Sequence, residues 1–290
     1  MKNTRARVWR FGLAALPVLG AMAAMVANPA AAAAATVQSI TIFECGRAKT
    51  LDKSMFSPGV DVGVAYDIPV NCYLIRHGKD LMIWDTGLAD SLVEKPEGVV
   101  VAGGKLTIFV KKTLASQMKT VGVSPRDVKY LALSHMHPDI TGNVGLFTAA
   151  TWYVQKPEFD AAFGKTPRKF GFDPKTYGGL RNNKTVVLTG RKDVFGDGSV
   201  IIIPAPGHTP GSQVLFVRLP SGPVILAGDL WHFESNRTND IVPASNFDIE
   251  MTRKSMARIN ALAARTGAKV WLNHDRDQSA RLPHAPRSIR

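Results

Sequence analysis

Four histidines and two aspartates in this 290-residue chain fall at places suited to holding a metal ion. In Ser134-His135-Met136-His137-Pro138-Asp139, two imidazoles at i and i+2 precede a carboxylate two residues further on. All three can converge on one point where an apolar strand, Leu131 to Leu133, runs into a turn. Pro206-Gly207-His208-Thr209-Pro210-Gly211 places a third histidine in a tight Gly/Pro turn. Ile225-Leu226-Ala227-Gly228-Asp229 ends an apolar run in a carboxylate, and Val270-Trp271-Leu272-Asn273-His274 ends another in an imidazole. Imidazole with carboxylate suits Zn, with Mn or Fe as further options, whereas Ca and Mg prefer oxygen-only shells. One histidine alone at any of these places reads as a satisfied core residue. Six candidate ligands spread over four strand-end or glycine turns read as a metal site.

Such side chains need a scaffold that delivers strand ends to one edge. Short β-rich runs bounded by Gly, Pro and Asp supply it, among them Thr41 to Phe43, Asn71 to Ile75, Leu81 to Trp84, Val128 to Leu133 and Thr151 to Val154. Val200 to Ile203, Gln213 to Val217, Val224 to Leu226 and Val270 to Leu272 continue the pattern. Helices are expected over Leu106 to Met118, Pro157 to Phe163 and Phe247 to Arg265. The last carries Ile249, Met256, Ile259 and Ala263 at three-, four- and seven-residue spacings, fitting a helix laid over a sheet. Strands interleaved with helices predict an α/β layered domain. Lys165 to Asn183 reads as a loop carrying Phe170, Phe172 and Tyr177. With Phe56 it is a candidate apolar wall for a pocket.

Composition narrows the classes. With 45% apolar and 20% charged residues the chain is not of the disordered type, and two cysteines exclude a disulfide-dense scaffold or a Cys-only zinc module. Net charge is +13 from 36 basic and 23 acidic residues. Lys2, Arg5, Arg7 and Arg10 contribute +4 in a stretch, 1–35, that holds no acid; the remaining 32 basic and 23 acidic residues leave +9. These charges are scattered, so a small molecule rather than nucleic acid is the expected partner. Residues 1–35 join a basic start, an apolar run from Phe11 to Ala27 and a small-residue tract from Ala30 to Ala35. They read as a Sec-type signal peptide, which predicts a periplasmic or secreted protein without a membrane span after cleavage. Residues 36–278 are then the functional domain, and 279–290, rich in Arg and Pro, a flexible tail. In an oxidising compartment Cys45 and Cys72 can pair if their two runs are neighbours, a matter of geometry.

Taken together, these motifs resemble the metallo-β-lactamase superfamily, whose signature is HxHxDH, a distant His, a bridging Asp and a final His. The resemblance runs from about Thr41 to Asp275 and implies a four-layer αββα sandwich. Trp84-Asp85-Thr86-Gly87 is similar to the family's first motif, whose aspartate supports the site. Ile68-Pro69-Val70-Asn71-Cys72-Tyr73-Leu74-Ile75-Arg76 and Asn246-Phe247-Asp248 resemble the N-acyl homoserine lactonase branch. The likeness implies that His135, His137 and His208 hold a first metal. It implies also that Asp139 and His274 belong to a second, with Asp229 bridging. Two positions depart. Ile140 stands at the last histidine of HxHxDH, leaving either a weaker second metal or a single one. His232 stands where lactonases of this branch carry a carbonyl-polarising Tyr. An imidazole can donate the same hydrogen bond, fill the gap left by Ile140, or be a plain loop residue.

The expectation is therefore an exported hydrolase with one or two Zn ions that opens a lactone or ester. A metal-activated water attacks, Asp139 orients that water or carries its proton, and His232 assists the carbonyl oxygen. A β-lactam hydrolase of the same superfamily is the second reading, and a non-catalytic relative that binds a small ligand is the third.

Overall fold

The structure is a computed structural model describing Met1 and residues 36–290; the rest of the expected signal peptide lies outside the described residues. Among the described residues fourteen strands follow one another: β1 (Val37–Thr50), β2 (Tyr66–His77), β3 (Asp80–Trp84), β4 (Val99–Val101), β5 (Leu106–Phe109), β6 (Tyr130–Ala132), β7 (Thr151–Gln155), β8 (Thr185–Leu188), β9 (Lys192–Asp193), β10 (Val200–Pro204), β11 (Gln213–Leu219), β12 (Gly222–Leu226), β13 (Lys269–Trp271) and β14 (Ser288–Ile289). The helices are α1 (Leu114–Thr120), α2 (Pro138–Thr141), α3 (Lys156–Phe163), α4 (Pro174–Tyr177), α5 (Glu234–Thr238), α6 (Ile249–Thr266) and α7 (Arg276–Arg281).

The strands form two sheets. One runs β4-β5-β1-β2-β3-β6-β7-β8, with β14 also on β1; the other runs β13-β12-β11-β10-β9. Side-chain alternation along a strand assigns each residue to one face, and here both faces of both sheets are covered. On β2, Tyr73 and Ile75 join Ile202, Leu215 and Trp271 in a core between the sheets. Cys72 and Leu74 turn the other way, toward Leu114 and Met118 of α1. On β11, Leu215 and Val217 enter the intersheet core, while Val214 and Phe216 meet Met256 and Ile259 of α6. Helix, sheet, sheet, helix is the four-layer αββα sandwich that the motifs imply. Among the described residues no helix is long and apolar enough to cross a membrane.

Three sequence expectations resolve differently or more sharply. The helix expected over Leu106 to Met118 begins as a strand. Its β-branched start, Leu106 to Phe109, pairs with both β1 and β4, and the helix starts only after Thr113, whose hydroxyl accepts from Ser116 N–H. The segment 279–290 is no free tail. It completes α7 and returns as β14, pairing Ile289 with Ile40 and Ser288 with Thr41, because Ile289 has intersheet apolar surface to cover. Cys45 and Cys72 form a disulfide. It crosses from β1 to β2 beside a bulge in β1 between Glu44 and Gly46.

Strand direction positions the chemistry. β3, β6, β7 and β8 run parallel, as do β12 and β13. Their carboxyl ends deliver Asp85, the 134–139 turn, Asp229 and His274 to one edge.

Candidate metal centre

Four of the imidazoles facing the site are each held by an oxygen at the far nitrogen. His137 donates Nε2–H to the Phe170 carbonyl at 2.9 Å, and His274 donates Nδ1–H to the Pro69 carbonyl at 2.8 Å. His208 donates Nδ1–H to Asn246 Oδ1 at 3.0 Å, the amide being oriented by its own donation to Thr252 Oγ1. His135 Nδ1 bonds Ser134 Oγ at 3.0 Å. Asp85 supports that pair from below, accepting Ser134 N–H at 2.6 Å. Partners of this kind set tautomer and ring direction at metal sites.

With those donors committed, lone pairs point at one another. His137 Nδ1 and His208 Nε2 stand 3.1 Å apart; with both rings neutral and their far nitrogens donating, no hydrogen lies between them and two lone pairs face each other. His135 Nε2 is buried with no hydrogen-bond partner. The ligand atoms of His135, His137 and His208 all lie within 4.8 Å of one another. Orphaned, converging nitrogen lone pairs are what a cation of the Zn type takes up, so these residues fit a metal. Burial drives the charged form of all three rings down: His135 well below the usual range, His208 below it, and His137 to about 4, with the neighbouring His208 adding to the last. Neutral imidazole is the ligating form.

Asp229 sits between this trio and a second group. Its Oδ2 lies 3.4 Å from His208 Nε2 and 3.9 Å from His135 Nε2. Its Oδ1 lies 3.0 Å from His274 Nε2. His274 Nε2 is also 3.5 Å from Asp139 Oδ2. Burial opposes charge on His274, but Asp229 and Asp139 outweigh it and raise its pKa to about 9. Burial likewise resists charge on Asp229, and the surrounding His274, His232 and His135 hold its carboxyl well below the usual range. All six expected ligand positions thus meet in one place.

The two departures have clear positions. Ile140 is fully buried among Leu133, Met136 and Phe147, and its carbonyl accepts from both Thr86 N and Thr86 Oγ1. It offers no ligand. His232 Nε2 stands 3.2 Å from Asp229 Oδ2, and the ring packs on Phe56 at 4.7 Å. Its Nδ1 is buried without a partner. It lacks the fixed far-side oxygen that the other four imidazoles share.

A cavity of about 310 Å³ opens over these groups, with Phe56, Ile68, Val70, Leu88, Leu106 and Ile108 among its apolar lining. Phe56 takes the place expected of it. The Lys165 to Asn183 loop does not line the cavity; it works from behind, through the Phe170 carbonyl and the edge of Phe172, 5.7 Å from the His137 ring. Several supports were not legible as site residues. Backbone carbonyls of Pro69 and Phe170 carry no sequence signal, Ser134 reads as an ordinary strand-end serine, and Asn246 had a motif but no role. Glu158, buried in α3, touches both the loop of His135 and His137 and the loop of His208.

The Metallo-beta-lactamase superfamily matches residues 65–269. The N-acyl homoserine lactonase AttM of Azorhizobium caulinodans is 35% identical over 236 residues, covering 77% of this chain and 88% of that one. A crystal structure of Bacillus thuringiensis AiiA with N-decanoyl-L-homoserine bound at its active site superposes with a TM-score of 0.77 at 26% identity. That match covers 88% of this chain and all of the other. An N-acyl homoserine lactone hydrolase with N-hexanoyl-L-homoserine bound at its catalytic metal centre gives 0.76 at 26% identity and the same coverage. The chain belongs to the metallo-beta-lactamase superfamily and is a metal-dependent hydrolase of that family.

Proposed function

We propose that this protein opens the ring of N-acyl homoserine lactones or similar acyl lactones. The observation that carries the reading is the apolar cavity ending directly on the imidazole and carboxylate cluster. An acyl tail is accommodated among Phe56, Ile68, Leu106 and Ile108 while the lactone carbonyl reaches the site. The relatives named above, lactonases and structures with acyl-homoserine products, support the same substrate class.

His135, His137 and His208 would hold one Zn, Mn or Fe ion, and Asp139, Asp229 and His274 a second, more weakly held one. Such a cation supplies a water that ionises near neutral pH and an electrophilic contact for a carbonyl oxygen. The residues do the rest. Asp229 orients both halves of the site. Asp139, about 30% exposed on its side chain, faces the cavity and can take a proton from the attacking water and return it to the leaving alkoxide. His232 donates to the carbonyl oxygen as negative charge develops there. Its Nδ1, which no protein oxygen holds, favours this role over that of a replacement for the missing histidine ligand. The alkoxide stays tethered, so ring opening yields one hydroxy acid.

Export through the expected signal peptide is part of the proposal, supported by the disulfide, since such bonds persist in oxidising compartments. N-terminal sequencing of protein recovered from the periplasm or medium tests it, with a mature start near residue 36 expected.

The functional test is base uptake at constant pH with zinc-loaded protein on N-decanoyl homoserine lactone, a simple aryl ester and a β-lactam. Lactone opening should dominate. Asp139→Asn should lower kcat about 10²–10⁴-fold and His232→Ala about 10²-fold. Preference for the β-lactam, or tight lactone binding without product, overturns the reading.

A further inference from the structure

We propose that Glu158 is the positioning residue of the three-histidine half of the site. Its carboxylate sets the separation between the loop of His135 and His137 and the loop of His208. Glu158 is 2% exposed at the start of α3. Its Oε1 accepts Met136 N–H at 2.9 Å, between the two ligands of the first loop. Its Oε2 accepts Gly211 N–H at 2.8 Å in the second. The Thr209 hydroxyl, next to His208, lies 2.9 Å from Oε1 and 2.8 Å from Oε2. One carboxylate therefore bridges two loops 70 or so residues apart in the chain, and its surroundings are these donors and burial rather than a basic side chain.

Residue chemistry explains the choice. Only a carboxylate offers acceptors on both sides. A glutamine must turn its NH₂ toward either Met136 N–H or Gly211 N–H, donor against donor, and release one loop. Aspartate is one methylene too short to span them. The second loop is also shaped for this approach: a Cβ at Gly211 would come within 2.3 Å of Glu158 N. The nitrogens of His137 and His208 are 3.1 Å apart across this brace, so a small change in loop separation alters how both address a shared ion. None of the four contacts involves a ligand side chain directly. Glu158 acts through the loops.

The inference rests on His135, His137 and His208 holding a metal, but not on which substrate is hydrolysed. Cobalt(II) uptake by metal-free protein tests it, read as affinity in chelator competition and as the visible absorption band, which reports coordination geometry. Glu158→Gln should weaken the tighter site about 10–100-fold and shift the band, as outer partners of ligands do elsewhere. Thr209→Val, which keeps both backbone donors, should move both readouts the same way by less. A folded Glu158→Gln protein with wild-type affinity and band overturns the inference. If that variant does not fold, unchanged affinity in Thr209→Val overturns it. Wild-type protein that takes up no cobalt instead overturns the metal reading itself, and this one with it.

Discussion

Asn246 holds His208 Nδ1 through Oδ1 at 3.0 Å while its own amide donates to Thr252 Oγ1 in the first turn of α6. The turn of His208 is bound to the same helix entry by the backbone, with Asp248 N–H on the Gly207 carbonyl and Phe247 N–H on that of His208. A Cβ at Gly207 would meet Thr252 N at 2.4 Å, so only glycine allows this approach. The long helix thus orients one of the three imidazoles that could hold a metal.

Asn246→Ala is accordingly expected to weaken zinc binding about 10–100-fold without unfolding the protein. Chelator competition on the purified variant measures it. An unchanged affinity would show that the His208 ring is held by its turn alone.

The stoichiometry should be unequal. On the proposed reading three neutral imidazoles and Asp229 would serve one ion, and Ile140 would leave Asp139, Asp229 and His274 for the other. Metal analysis during stepwise chelation should show two classes of ion, the second weaker by about tenfold or more. Asp139→Asn should remove the weaker class and keep the tighter. Loss of both together would mean that the ions bind as a unit.

Much of this was legible in the amino-acid order, because ligands are side chains at strand ends. His135, His137, Asp139, His208, Asp229 and His274 follow apolar runs or glycine turns, and all meet in the fold. What escaped is what acts through the backbone or through packing. Pro69 and Phe170 contribute carbonyls, which every residue has. Glu158 stands in an unremarkable helix start, and only three-dimensional proximity makes it a bridge. Ile289 pairs with Ile40 near the other end of the domain, beyond the range of any local pattern. The strand at Leu106 was hidden because its apolar spacing also fits a helix, and pairing with β1 decided between them.

The disulfide should matter for stability more than for the metal. Cys45 and Cys72 are 27 residues apart, and closing a loop of that size restricts the unfolded chain by roughly 3.5 kcal/mol. Replacing both by Ala should lower the unfolding free energy by about that amount in urea titrations. The tighter metal site, built from other strands, should retain its affinity. A double variant as stable as the parent would show that the β1–β2 register is held by its ladder and core alone.

The pH dependence of stability has an identifiable contributor at the far end of the fold. His77, the last residue of β2, places Nε2 2.8 Å from Asp197 Oδ2 in the turn between β9 and β10, with its ring stacked on Phe195 at 3.9 Å. Ser199 donates to Asp197 Oδ1 through both N–H and hydroxyl. Burial disfavours the carboxylate, but the bonds from His77 and Ser199 outweigh it and hold Asp197 at about 2. The unfolded side chain titrates near about 3.9. Between those values the unfolded state binds more protons, so this contribution is fully present above about pH 4 and is lost as pH falls toward 2. Asp197→Asn should therefore be less stable than the parent by about 1 kcal/mol at pH 6, with the difference closing as both are titrated down through that window. A difference that stayed constant to pH 2 would mean that the side chain contributes through shape and not through its charge.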